Sequence, residues 1–365
     1  MKISFPNLGN SVFAAKAIFD GLGIEYILPK ESSIRSLEIG ALHSPDEICL
    51  PFKIMLGNYI ESIEQGADTI IITGSCGPCR YGEYCELQMN ILKKLGYNVE
   101  FIVVDKPNAI GNKEFLSRIS QISKGSEANT LEKLNLVAEA YKIVKLMDRI
   151  ESLCRYKVGY EVKEGSCKAL LAECKKKALQ CKSDKDMLEH LKKYLKYANT
   201  IPIDESKKPL KIAIIGEIYT ILEPFSNFHI EDKLMDFGIC SFKGLNPSWW
   251  VKDAILSATK LNSIGIRRNS RKYLPLYIGG HARECVGEAV LAKKKGFHGA
   301  IQIYPVGCMP EIVSRAILPT ISKDEDFPIM TLVVDEMTGE AGYVTRLEAF
   351  IDLIERKEKN VVYGR

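Results

Sequence analysis

Several features that would place this 365-residue sequence in a particular class are missing. No apolar segment approaches the roughly 20 residues that a membrane-spanning helix needs, which argues against a membrane protein. No secretory leader is recognisable, because Met1-Lys-Ile-Ser-Phe5 leads directly into a strand-like run. The net charge is only +4, too balanced to indicate binding to nucleic acid or to a membrane surface. We therefore expect a cytoplasmic protein.

Nucleotide-binding loops are also missing. The sequence contains no Gly-x4-Gly-Lys-Ser/Thr loop, and Gly21-Leu-Gly23 lacks the third glycine and the helix-opening context of a dinucleotide fingerprint. The sequence therefore predicts that this chain does not bind ATP by either device.

Strand and helix signals alternate in the first and last thirds of the chain. Apolar runs bounded by turn residues predict buried strands. These runs are Lys2–Phe5, Ile24–Leu28, Thr69–Thr73, Val99–Val104, Lys211–Ile215, Leu276–Ile278, Ala300–Ile303 and Ile329–Val334. The alternation predicts an α/β fold with parallel sheets covered by helices.

Between about Asn112 and Thr200 the strand signals vanish and helical periodicity takes over. We therefore predict two α/β domains joined by a helical connector, and the 46% of apolar residues is enough for two cores. The predicted domains are residues 1–110 with the N-terminal sheet, 111–205 with the connector and 206–365 with the C-terminal sheet.

The stretch Cys76-Gly-Pro-Cys79-Arg-Tyr-Gly82-Glu-Tyr-Cys85 places three cysteines within ten residues, directly after the predicted strand Thr69–Thr73. Cysteines of a cytoplasmic protein are kept reduced, so dense cysteine stretches indicate metal binding or catalysis rather than disulfides. Three soft thiolates at the end of a strand are typical of a metal or cluster site.

Other cysteines have a similar placement. Ser44-Pro-Asp-Glu47 matches a capping box, which predicts a helix from Ile48 to Gln65 with Cys49 near its first turn. Cys285 and Cys308 each follow a predicted strand and lie near a predicted helix start. Six cysteines are thus expected at the carboxyl side of a parallel sheet, where helix N-termini stabilise thiolates. They are Cys49, Cys76, Cys79, Cys85, Cys285 and Cys308.

The other five cysteines are interpreted as core residues. Cys167, Cys174 and Cys181 are seven residues apart and are expected on one helix face, where neighbours about 10 Å apart could not share one metal. Cys154 has no partner at a useful spacing, and Cys240 lies in an apolar strand or turn.

The six cysteines could bind either zinc or an iron–sulfur cluster. A four-cysteine zinc site usually draws on two Cys-x2-Cys pairs, whereas this chain offers only Cys76 and Cys79 as such a pair. Single cysteines on separate loops favour an iron–sulfur cluster between domains over a zinc knuckle. Six thiolates suffice for one cubane with spare thiols, or for two cubanes.

Five motifs carry a resemblance to a known family. They are Cys49-Leu-Pro-Phe-Lys53, Gly77-Pro-Cys79-Arg-Tyr-Gly82, Gly216-Glu-Ile-Tyr219, Gly279-Gly-His281 and Gly307-Cys308-Met-Pro-Glu311. In order and spacing they resemble the 2-hydroxyacyl-CoA dehydratase superfamily, in particular its dehydratase-activase-related, D-component-like branch, from residue 1 to about residue 350.

The resemblance implies a pair of flavodoxin-like domains with an iron–sulfur cluster in the cleft between them. The cluster would be a [4Fe–4S] cubane on three cysteines, or an [8Fe–9S] double cubane as in the related double-cubane proteins. Cys49, Cys79 and Cys308 match the expected ligand positions best, followed by Cys76 and Cys85 and then Cys285.

The resemblance also implies partners and a reaction. Electrons would come from a separate ATP-hydrolysing iron–sulfur activator, and the chain would pair with itself or with a related subunit. The expected function is an iron–sulfur redox enzyme that reduces a small molecule or dehydrates a 2-hydroxyacyl-CoA. The alternative is a non-catalytic iron–sulfur scaffold or electron-relay subunit.

Four polar residues are candidates for catalysis. Arg80 could neutralise the cluster or hold an anionic substrate, or it could simply cover the loop by bonding to carbonyls. Glu217 and His281, the latter together with Glu284, follow predicted strands and could deliver protons, which must accompany electrons in such a reduction. For His281 a helix-capping role is the alternative.

Overall fold

The computed structural model describes residues 1–74, 79–105, 110–257, 259 and 261–362. Two parallel β-sheets packed against helices form the fold, which confirms the predicted α/β class. The chain divides into two compact units. Unit 1 consists of Met1–Glu151, Leu170–Asn199 and Asn246–Asn262. Unit 2 consists of Ser152–Ala169, Thr200–Leu245 and Ser263–Arg365.

Most of the predicted strands are present. The strands are β1 (Ile3–Ser4), β2 (Thr69–Thr73), β3 (Glu100–Val104), β4 (Lys211–Gly216), β5 (Cys240–Lys243), β6 (Gly299–Pro305) and β7 (Ile329–Val334). The helices of unit 1 and of the helical region are α1 (Ser11–Leu22), α2 (Ile34–His43), α3 (Leu50–Glu64), α4 (Tyr84–Lys94), α5 (Asn112–Ile122), α6 (Thr130–Lys157), α7 (Ser166–Ala178) and α8 (Asp184–Thr200). The helices that follow are α9 (Ile218–Leu222), α10 (Ile230–Asp236), α11 (Pro247–Ser257), α12 (Ile264–Ser270), α13 (Ala282–Lys294), α14 (Met309–Asp324) and α15 (Glu340–Val362).

The sheet of unit 1 has the order β1-β2-β3, with all strands parallel. Ile3 also bridges Tyr26 in parallel, so Tyr26 lies on the side of β1 opposite to β2. The predicted strand Ile24–Leu28 is reduced to this single bridge. The reason lies in β1, which ends at Ser4 because Pro6 has no N–H to continue a ladder. Ile3 and Ile24 belong to the apolar core beneath this sheet.

The sheet of unit 2 has the order β5-β4-β6-β7, again with all strands parallel. β5, the second strand of this unit in the sequence, therefore lies at the edge of the sheet beside β4, the first strand, as in flavodoxin-like folds. The predicted strand Leu276–Ile278 is wrong. Leu276 and Tyr277 are 70% and 60% exposed, and glycines 279 and 280 follow with positive φ angles. A run of three residues that exposes two of its side chains does not form a core strand.

The region between Asn112 and Thr200 is helical, as predicted, through α5 to α8. The three cysteines spaced by seven do not share one helix, however, because α7 ends at Ala178 and Cys181 lies beyond it. Cys167, Cys174 and Cys181 are each buried, in keeping with a packing role. Among the described residues no helix is both long enough and apolar enough to cross a membrane.

Two glycines bring α2 and α3 into close contact. A Cβ atom on Gly57 would lie 1.8 Å from the carbonyl oxygen of Ser36, and one on Gly40 would lie 1.7 Å from that of Lys53. Backbone oxygens cannot move aside as a flexible side chain can. Glycine is therefore required at both positions, and the crossing helps to fix where α3 begins.

This crossing predicts that Gly57→Ala destabilises the protein. Alanine favours a helix over glycine by about 1 kcal/mol, but the overlap should outweigh this and give a net loss of about 2 kcal/mol or more. Gly342→Ala in α15 is the matched control, because nothing lies within 4 Å of its added Cβ atom. Urea denaturation should show a lower free energy of unfolding for Gly57→Ala and a slightly higher one for Gly342→Ala. Equal stabilities would contradict the argument.

Candidate functional site

Cys49 is the N-cap residue of α3. Its backbone is extended (φ −69°, ψ 150°), Pro51 occupies one of the first helical positions, and Cys49 is only 8% exposed. The predicted capping box at Ser44 is wrong, because Ser44 ends α2 instead and donates its hydroxyl to the Gly40 carbonyl at 2.6 Å. Since α3 leads into β2 of a parallel sheet, its N-terminus lies at the carboxyl edge of the strands.

Cys308 occupies the equivalent position in unit 2, and Cys79 a related one before a short turn. Cys79 is the N-cap residue of the short turn Arg80–Glu83, which continues into α4, and Cys308 is the N-cap residue of α14. Both have extended backbones. N-cap positions normally carry Ser, Thr, Asp or Asn, whose oxygens bond to the first backbone amides. Within these described helix starts, none of the three cysteines makes a side-chain cap hydrogen bond.

A cysteine at three such positions indicates a role for sulfur other than capping. The positive end of a helix stabilises a nearby thiolate and lowers its proton affinity. A thiolate held in this way is a suitable ligand for a soft metal ion or an iron–sulfur cluster.

Tyr84 makes a hydrogen bond between its hydroxyl and the Cys49 sulfur. The tyrosine is 2% exposed and opens α4. Its ring packs edge-on against Phe52 with a centroid distance of 5.0 Å, and against Tyr81 at the same distance. The hydroxyl is therefore held in place by packing on the ring. Sequence reasoning missed this residue, although its position next to Cys85 was a signal.

Lys53 is a second residue that the sequence analysis did not assign. It lies one helical turn after Cys49, is 2% exposed, and donates a hydrogen bond from Nζ to the Asp46 carbonyl at 3.0 Å. This contact holds the Lys53 amino group close to the start of α3. The i,i+4 spacing from Cys49 was the available signal.

Cys85 lies in the first turn of α4, as predicted, and is half-buried. Burial raises the pKa of its thiol, and the carboxylates of Glu86 and Asp105 add to this effect. A hydrogen bond from the Glu86 backbone acts in the opposite direction. Cys76 lies outside the described residues. Metal binding by Cys76 and by Cys85 stays a prediction.

Arg80 is exposed, and its guanidinium donates to the Glu47 carbonyl at 3.1 Å. This contact matches the alternative that the arginine covers the loop. Its role as a catalytic or anion-binding residue stays a prediction.

Cys285 has different surroundings from the three N-cap cysteines. It is fully buried in the apolar core of unit 2, on α13. Burial raises the pKa of its thiol well above the usual range, and the neighbouring Glu311 carboxyl adds to this. A protonated thiol in an apolar core fits packing better than metal ligation. Cys285 as a ligand stays a prediction, and the weakest of the six.

Glu217 is the N-cap residue of α9. Its carboxylate accepts hydrogen bonds from the backbone amides of Tyr219 and Thr220, both at 2.9 Å. Burial raises its pKa while these bonds oppose the rise. His281, half-buried, is the N-cap residue of α13 and makes no side-chain cap hydrogen bond there. Proton delivery by either residue stays a prediction, and capping already accounts for Glu217.

A group of buried carboxyls in unit 2 was foreseen only at Glu284, which the sequence placed beside His281 as a candidate for proton delivery. Glu284, Glu288 and Glu311 are at most 8% exposed, and each has one carboxyl oxygen without a hydrogen-bond partner in the described structure. Gln302 donates to the other oxygen of Glu311 at 2.6 Å. Burial raises the pKa of Glu288 and of Glu311 to about 8. Both acids are therefore largely protonated at neutral pH.

The predicted metal ligands fall in both units. Cys49, Cys79 and Cys85 belong to unit 1, and Cys285 and Cys308 belong to unit 2. The described residues, which leave out Cys76, contain no group of three or more His, Cys, Asp or Glu side chains arranged to hold a metal ion. That all the cysteines serve one cluster in an interdomain cleft stays a prediction.

Comparison with known proteins adds one finding. A family model described as "CoA enzyme activase uncharacterised domain" matches residues 7–243. The matched range contains β2 to β5 and the cysteines Cys49 and Cys79. No curated protein matches the chain.

Proposed function

Because the chain belongs to the family described as CoA enzyme activase uncharacterised domain, we propose that it is an iron–sulfur component of a dehydratase–activase system. It receives low-potential electrons from a separate ATP-hydrolysing iron–sulfur activator. With these electrons it reduces a small molecule, or it uses them catalytically, without net consumption, to dehydrate a 2-hydroxyacyl-CoA. The family membership supports a role in the dehydratase–activase system, and the finer reaction is our proposal.

The observation that carries the proposal is the use of cysteine at three helix N-caps. Cys49 in unit 1 and Cys308 in unit 2 lie at the N-termini of α3 and α14, and Cys79 in unit 1 begins the short turn that leads into α4; none of the three makes a side-chain cap hydrogen bond in the described structure. The donor chemistry fits an iron–sulfur cluster, because thiolates are its usual protein ligands. Cys76 and Cys85 are the next candidates, and the number of cubanes depends on them.

Residues around Cys49 suit an anionic cluster. The buried Lys53 ammonium supplies positive charge one turn away, and the Tyr84 hydroxyl reaches the Cys49 sulfur. When bound, the cluster supplies one-electron transfer at low potential. The chain's own contribution is to hold the thiolates, to balance their charge and to exclude water from Cys49.

The partners in the proposal come from the resemblance to the dehydratase–activase system. The sequence contains neither of two common phosphate-binding loops, and we propose that a separate ATPase drives electrons to low potential. We propose that the chain also pairs with a second copy or with a related subunit.

The proposal is tested by purifying the protein without oxygen and measuring iron, acid-labile sulfide and zinc. We expect a brown protein with about four or about eight irons per chain, according to whether one or two cubanes are present. Electron paramagnetic resonance of the reduced protein should show a cluster signal that air destroys. A colourless preparation with stoichiometric zinc would refute the proposal.

A second measurement separates an enzyme from a relay subunit. The cluster-loaded protein is mixed with a competent activator, ATP and a 2-hydroxyacyl-CoA, and the enoyl-CoA product is followed. Product formation is expected. Reduction of the cluster without turnover of this or other small molecules would instead favour the electron-relay alternative.

A further inference from the structure

We infer that Tyr84 is a positioning residue that donates a hydrogen bond to the Cys49 thiolate and so sets the redox potential of the cluster. The inference rests on the proposed function, since it takes Cys49 as a cluster ligand. It assigns a role to a residue that lies 35 positions further along the chain, on a different helix.

The direction of the hydrogen bond follows from the chemistry of the ligand. The structure joins the Tyr84 hydroxyl and the Cys49 sulfur, and either atom could donate if the sulfur carried a proton. A cysteine that ligates iron has lost its proton. The sulfur can then only accept, and the phenol must donate.

Packing holds the tyrosine in the geometry that this bond requires. Phe52 lies edge-on to the Tyr84 ring, and the Tyr81 ring lies 5.0 Å away on an interplanar angle of 45°. Both Tyr84 and Cys49 are nearly inaccessible to water, at 2% and 8% exposure. A hydrogen bond to an ionised acceptor is stronger in such surroundings than at the surface.

The expected consequence concerns the energy of the reduced state. Reduction adds negative charge to the cluster, and part of this charge resides on the cysteine sulfurs. A hydrogen bond to a ligand sulfur stabilises the more negative state, so the potential becomes less negative. Tyr84 therefore makes the cluster easier to reduce.

The chain offers a matched control. Tyr81 stands beside Tyr84, and its hydroxyl forms a hydrogen bond with the Thr73 hydroxyl at 3.0 Å. Removing the Tyr81 hydroxyl takes a phenol from the same aromatic group without removing the contact to Cys49.

The test is a potentiometric titration of the cluster-loaded protein, followed by electron paramagnetic resonance. Tyr84→Phe keeps the ring and removes only the hydroxyl. We expect the equilibrium constant for reduction to fall about tenfold, a shift of about 59 mV to more negative potential for a one-electron couple. Tyr81→Phe should leave the potential unchanged.

A second substitution, with an expected shift of the potential in the opposite direction, keeps the inference testable even if Tyr84→Phe loses the cluster. Site-specific 3-fluorotyrosine at position 84 has a more acidic hydroxyl, which donates a stronger hydrogen bond. The potential should then move to a less negative value. Opposite shifts for the two variants cannot arise from a merely structural role of the ring.

The outcomes separate this inference from the proposed function. If the wild-type protein holds no iron, both fail. If the protein holds iron but Cys49→Ser retains all of it, Cys49 is no ligand and only the inference fails. If Cys49→Ser loses iron while neither change at position 84 moves the potential, the inference is also overturned, and the proposed function stands.

Discussion

Replacing Cys49 by serine is expected to remove most of the iron from the protein while leaving its fold intact. Serine is a hard, weakly acidic ligand and a poor substitute for a thiolate on iron. At the same position serine is a preferred N-cap residue, and a good cap stabilises a helix by about 1 kcal/mol. The variant should therefore lose iron without losing stability in the metal-free state.

This combination distinguishes ligation from packing. The matched control is Cys174→Ser, which changes a fully buried cysteine on α7. It should lower the free energy of unfolding by about 1–2 kcal/mol, because a hydroxyl replaces an apolar group in a core, and should retain full iron. Iron and sulfide analysis together with urea denaturation check both variants. Full iron in Cys49→Ser with an unchanged resonance spectrum would contradict Cys49 as a ligand.

The strands were predictable where a single physical cause dominates. β2 and β7 have the bounds that their apolar runs predicted, since both faces of a parallel sheet are covered by helices and its strands need such side chains. Leu276–Ile278 has a similar apolar content but is not a strand. A run of three apolar residues says nothing about whether a neighbouring strand is present to pair with it.

Helix starts were predictable only in part. The local pattern at Ser44 satisfies the rules for a capping box, yet α3 begins at Leu50. The crossing of α2 and α3 through Gly40 and Gly57 is a tertiary contact, which the spacing of a capping box does not contain. Pro51 and the N-cap placement of Cys49 were visible afterwards as a second, weaker start signal.

The candidate site shows the same division. The cysteines could be proposed as ligands from the sequence because few residue types serve as soft ligands. Tyr84 and Lys53 were not proposed, since tyrosine and lysine have many common roles and their burial depends on tertiary packing. Glu288 was missed for a related reason, because a glutamate in a helix is usually expected to face water.

Stability should fall as the pH rises from about 4.5 to about 8, and Glu288 is expected to be a main cause. Burial raises the pKa of this carboxyl to about 8, from the ordinary value of 4.5. In this range the folded protein binds a proton at Glu288 that the unfolded chain releases. The stabilisation of the folded protein by the Glu288 proton is thus complete below pH 4.5. It is lost as the pH rises through about 8.

The size of the effect makes it measurable. The pKa of Glu288 is 4.5 in the unfolded chain and about 8 in the folded protein. This difference in pKa corresponds to a free energy on the order of 5 kcal/mol for a single group, as an upper limit. Glu288→Gln keeps the shape and stays neutral, so its stability should depend much less on pH. We expect the variant to match the wild type near pH 5 and to exceed it by about 2–4 kcal/mol at pH 8.

Urea denaturation of the metal-free protein at several pH values between 5 and 8 checks this expectation. Glu348→Gln on α15 is the matched control, because it makes the same change at an exposed glutamate of the same unit. Its pH dependence should follow that of the wild type. If Glu288→Gln showed the wild-type slope, the proton would not reside on Glu288, and Glu311 would be the next carboxyl to substitute, since its pKa is also raised to about 8. Because a carboxyl that stays protonated at neutral pH needs its burial to persist, the slope also reports whether the α13 side of the core remains closed to water.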